Sequence, residues 1–111
     1  MASTQTLTIP SGGTDSEVFG MGTYGNRQTI EMAIIAPATL PETVTVQVAG
    51  ALGNYADLRT GGTDITLAAR KCDFITVISC ENLRLHAGSA TGGDRVFEIM
   101  WQVKPYSRLG A

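Results

Sequence analysis

The stretch Thr43–Val48 reads T-V-T-V-Q-V, a hydroxyl or amide side chain alternating with valine at every step. Successive side chains on a strand point to opposite faces, so this rhythm makes one wet face and one buried face. The same period-two pattern recurs on both sides of it. Upstream, Gln28–Ala36 sets Ile30, Met32 and Ile34 on one face, and Thr6–Ile9 alternates before Pro10 ends it. Downstream, Tyr55–Arg59 follows the turn Gly50–Asn54 as a hairpin partner. Ile65–Ala69 and Asp73–Ser79 read as strands with a corner at Arg70–Cys72, and Asn82–Ala87 groups Leu83, Leu85 and Ala87. Arg95–Val103 is the longest, with Phe97, Ile99, Trp101 and Val103 facing one way. Ser16–Phe19 adds a short strand, and Ile65–Lys71 has room for one helical turn at most.

Eight or nine short strands separated by glycine-rich turns predict an all-β fold, an antiparallel two-sheet sandwich or jelly roll. The expected core is Ile30, Met32, Ile34, Val44, Val46, Val48, Leu58, Leu67, Ile75, Val77, Leu83, Leu85, Phe97, Ile99 and Trp101. The expected organisation is an uncharged N-terminal arm with the first strand (1–14), one sandwich domain (15–104) and a tail (105–111). At 111 residues the chain is long enough for one such core.

Charged residues are only 16% of the chain and the net charge is −2, with Lys and Arg scattered. A nucleic-acid partner needs a basic stripe to neutralise phosphates, so none is expected. The apolar runs are too short for a membrane helix, and no basic start leads into an apolar stretch, so synthesis in a cytoplasm without a signal peptide is expected. Cys72 and Cys80 would lie about 26 Å apart on one extended strand at ~3.3 Å per residue. D-F-I-T-V-I-S between them has no turn residue at its centre, so two reduced thiols are expected.

Reactive groups are sparse. His86 is the lone histidine, and its parity opposes Leu83 and Leu85, which turns it to solvent. The ten carboxylates are dispersed, without the spacing of a calcium loop. Asp57, Asp64 and Asp73 converging at one sheet end is a possible calcium site, against the plainer role of aspartates in turns. Paired glycines lack the following helix of a phosphate loop. Tyr24, Tyr55, Trp101 and Tyr106 are the candidates for a sugar platform, with Trp101 read as core. No enzyme activity, cofactor or metal is expected.

The order of features resembles that of small structural proteins of tailed phages across Leu7–Val103. The features are I-P-S-G-G-T-D-S-E-V-F-G (Ile9–Gly20), I-I-A-P-A-T-L-P (Ile34–Pro41) and the valine-rich Thr43–Ala49 with Tyr55–Leu58. F-I-T-V-I-S, N-L-R-L-H-A-G-S and D-R-V-F-E-I (Asp94–Ile99) follow; the turn Gly50–Asn54 departs from the pattern by lacking Asp-Gly. The resemblance implies a virion component, a capsid decoration or cement protein on the outer shell. Its implied partners are the major capsid protein and one or two further copies of itself, as a dimer or trimer. Thr6, Leu7, Thr8 and Ile9 are the expected contact element, adding as a strand to a neighbouring sheet edge; an ordinary first strand is the plainer alternative. A carbohydrate-binding adhesion module and a head–tail connector or tail component are the rival functions.

Overall fold

The computed structural model describes residues 3–20, 28–78 and 82–105, and every described element is a strand or a turn. In chain order the strands are β1 (Ser3–Ile9), β2 (Phe19–Gly20), β3 (Gln28–Ile35), β4 (Val44–Ala49), β5 (Tyr55–Asp57) and β6 (Arg59–Thr60). The remainder are β7 (Thr63–Asp64), β8 (Thr66–Leu67), β9 (Cys72–Ile78), β10 (Asn82–Ala87) and β11 (Arg95–Pro105).

Two antiparallel sheets face each other. One has the order β1-β11-β3-β9, and the other β2-β10-β4-β5, with β8 also against β4. β6 and β7 form a separate small hairpin. The pairing is nested, first strand with last: β1 with β11, β2 with β10, β3 with β9, and β4 with β8. A long hairpin wrapped on itself in this way is a jelly roll, the second of the two architectures that the alternation predicts.

The core lies between the sheets. Twelve of the fifteen expected core residues are buried, and Val48, Leu58 and Trp101 pack against them half-buried. Trp101 meets Phe19 of the opposite sheet edge-on, with ring centroids 4.8 Å apart. Leu7, Ile9, Phe19, Ala36 and Ala87 complete the cluster. The expected boundary at residue 14 therefore does not separate an arm from the body: β1 is a full strand of the first sheet, and its Leu7 and Ile9 are 0% exposed.

Three other expectations are revised. Ser16–Phe19 pairs as a strand only at Phe19, after an isolated bridge from Asp15 to His86. Ile65–Ala69 shortens to Thr66–Leu67, because the chain must turn to reach the first sheet; Arg70, with φ of 63°, makes that corner. The loop Gly88–Asp94, expected to be flexible, is fastened. Thr91 is buried, its hydroxyl donates to the Pro10 carbonyl (2.8 Å), its N–H donates to Gly13, and its carbonyl accepts from Gly12.

Candidate interaction surfaces

The outer face of the second sheet is a polar network. Asp15 accepts from His86 Nδ1 at 2.6 Å and lies 3.7 Å from Arg84 Nη1. Arg84 Nε donates to Gln47 Oε1 (2.9 Å), and Gln47 Nε2 donates to Asp57 (3.0 Å), which also accepts from Thr45. The strand register explains the grouping: Arg84 sits opposite Gln47 on β4, and Gln47 opposite Asp57 on β5. His86 faces outward as its parity predicts, yet it is held by Asp15 rather than free. The arrangement spreads across an open sheet face, and the hydroxyl of Thr45, the residue opposite His86 on β4, donates to Asp57.

The three aspartates considered as a calcium site do not converge. Asp57 is in this network, Asp64 pairs with Arg59 in the β6–β7 hairpin (3.5 Å), and Asp73 is on β9 of the other sheet. Among the described residues no three His, Cys, Asp or Glu side chains gather. Of the aromatic candidates, Tyr55 lies under the Arg84 guanidinium, 3.8 Å from its ring centroid, and Trp101 packs on Phe19. Tyr55 is thus engaged by a cation and Trp101 by an edge-on aromatic contact, and the two stand on different sheets. Tyr24 and Tyr106 lie outside the described residues, as does Cys80, while Cys72 is exposed and unpaired among them.

The first sheet is different. Across its outer face one row runs Thr4, Met100, Ala33, Phe74 through four strands. Phe74 is 67% exposed, and a shallow hollow of about 230 Å³ lies between it, Ala33, Met100 and Gln102. Beside the row, Glu31 accepts from Gln102 (2.6 Å) and lies 3.4 Å from the Lys104 ammonium. The Gln102 hydrogen bond, helped by Lys104, holds the Glu31 carboxyl below its ordinary range.

Both edges of this sheet are seven-residue strands, whereas the second sheet ends in strands of two and three residues. An edge presents unpaired N–H and C=O groups that template another strand, and natural sheets usually guard it. β1 is guarded at one end. Its Thr8 N–H turns away from β11 and donates to the Glu17 carboxylate. Alternation within an antiparallel ladder then sets the Thr6 and Thr4 amides on that same outer edge. Of the four expected contact residues, Leu7 and Ile9 spend their side chains in the core, so only the backbone edge, with Thr6 and Thr8 outward, remains for a neighbour.

Among the described residues β9 is the bare edge. The Lys71 carbonyl accepts from Ala36 N, so odd-numbered residues bond to β3 and Cys72, Phe74 and Thr76 turn their backbone groups outward. It carries no proline and one charge, Asp73. The alternation in D-F-I-T-V-I-S identifies the strand, but local pattern holds no information on how many neighbours a strand has.

No family model matches the chain, and no curated protein matches it in sequence. Among solved structures it is similar to a protein of Bacillus endospore appendages, a family of disulfide-linked pili. That match has 12% identity and a TM-score of 0.60, over 96% of this chain and 88% of the other. It is also similar to the SPBc2 prophage-derived protein YomS, with 14% identity and a TM-score of 0.57, over 92% and 96% of the two chains. At these identities the shared property is the fold.

Proposed function

We propose that this chain is a structural subunit of a phage virion, a decoration protein that binds the outer face of a capsid shell as a small homo-oligomer and stabilises it. It works by its surface and carries no catalytic step. One observation carries this reading: the first sheet exposes an apolar row on its face and two long strands at its edges. Flat, stiff surfaces with adhesive edges suit lattice contacts, whereas small-molecule chemistry needs a concave site with convergent polar groups. The resemblance of the sequence to phage structural proteins supports it, as does a fold shared with a prophage-derived protein and a pilus protein. Each contact can be weak, because many copies engage one shell at once and local concentration multiplies their hold.

The test is co-sedimentation of the purified chain with capsids that lack it, followed by heating. Saturable binding in a fixed ratio to the capsid protein, with a higher disruption temperature, is the expected result. Absence of binding to capsids of the phage that encodes it would overturn the proposal.

A further inference from the structure

The segment Cys72–Cys80 reads C-D-F-I-T-V-I-S-C, nearly the same in character from either end. About Thr76 it matches Ile75 with Val77, Phe74 with Ile78, Asp73 with Ser79 and Cys72 with Cys80. An antiparallel pair related by a two-fold axis sets each residue against the one equally far beyond the centre. A strand with this symmetry is therefore complementary to itself.

We propose that β9 pairs antiparallel with β9 of a second copy, centred on Thr76, and joins two four-stranded sheets into one of eight. Three observations lead there. β9 has one neighbour, β3, among the described residues, and its free backbone groups belong to Cys72, Phe74 and Thr76. A two-fold perpendicular to the sheet keeps outer face beside outer face, so even positions meet even positions and both the hydrogen bonds and the pleat continue. Polarity then selects the register. Centring on Phe74 or Ile75 sets Asp73 against Ile75 or Val77, whereas centring on Thr76 sets Ile75 against Val77 and Phe74 against Ile78, apolar to apolar. The exposed Phe74 side chain would then stand beside Ile78 of the copy, apolar next to apolar on the shared outer face.

The guarded β1 edge favours the closed pair over a chain of copies. Joining β9 to a neighbour's β1 would extend the sheet without limit, and Glu17 already occupies the Thr8 amide there. One strand edge buries less than the ~800 Å² per partner of a stable interface, so the pair is weak between free copies and gains from assembly on a lattice. The pairing goes beyond the shell role proposed above and does not depend on it.

The test uses the full-length chain with Cys72→Ser and Cys80→Ser, into which Thr76→Cys is introduced. Directly opposed strand residues lie about 5.5 Å apart at Cα, within disulfide reach. With copper–phenanthroline and dioxygen as oxidant, T76C is expected to form a covalent dimer with itself. F74C and I78C should each stay monomeric alone and cross-link when mixed. In the chain without substitutions, hydrogen exchange at Cys72, Phe74 and Thr76 should slow as concentration rises. Self-linkage of F74C but not T76C would overturn the register. Monomers throughout, with exchange independent of concentration, would overturn the pairing, and a monomer that still binds capsids would leave the shell role standing.

Discussion

Glu42 and Arg95 close one end of the sandwich. Glu42 precedes β4 of the second sheet and Arg95 begins β11 of the first; their side chains are 8% and 12% exposed, and both guanidinium nitrogens Nε and Nη2 donate to the carboxylate, at 2.9 and 3.0 Å. The Arg95 hydrogen bonds hold the Glu42 carboxyl below its ordinary 4.5. A lowered folded-state value means that the pair's stabilisation is present above the unfolded value and is lost as pH falls through the folded one. Glu42→Gln should therefore lower the melting temperature at neutral pH. It should also flatten the loss of stability below about pH 4, read by thermal denaturation across a pH series. Phe97 is the largest fully buried side chain, and Phe97→Ala should cost about 3–5 kcal/mol in denaturant unfolding through the cavity it leaves. The phenylalanine is legible as core from its alternation with Ile99. The Glu42–Arg95 pair is not, because 53 residues separate partners that only the sheet stacking brings together.

At the scale of elements, β1 shows the limit of local pattern most clearly. An uncharged alternating segment reads equally as a free arm or a first strand; burial of Leu7 and Ile9 beneath the second sheet decides for the strand. Deleting residues 2–9 should therefore destabilise the whole domain, seen as a large drop or loss of cooperative melting, and cannot isolate a docking role. Thr6→Pro separates the two. The Thr6 amide faces the open edge, so proline removes a donor that bonds to no strand among the described residues and should leave melting nearly unchanged. If β1 accepts a strand from a capsid protein, T6P should weaken capsid binding severalfold in co-sedimentation; unchanged binding would place the contact elsewhere. The turn at Gly50–Asn54 was fully legible: Gly53, with φ of 81°, donates to the Gly50 carbonyl where glycine alone is unstrained.

For the molecule as a whole, nested pairing makes nearly every strand contact non-local. β1 must find β11 across the length of the chain, and loop-closure entropy opposes this until late in folding. Refolding from denaturant should accordingly take milliseconds to seconds, like other non-local β folds, and stopped-flow fluorescence of Trp101 packing on Phe19 would measure it. Completion of folding in microseconds would contradict the topology. The same nesting gives the slab its two unlike faces. The face with the Arg84 network satisfies its own polar groups, and the face with Phe74 leaves apolar surface for others.

Period-two alternation and glycine-rich turns determined by themselves that this chain is an all-β sandwich and named most of its core, because side-chain direction along a strand is a local property of the backbone. Which strands stand at an edge, which carboxylate meets which guanidinium, and which apolar face is left bare were decided only in three dimensions. Those depend on neighbours distant in sequence, and a strand's alternation does not say which strand of the same chain lies beside it.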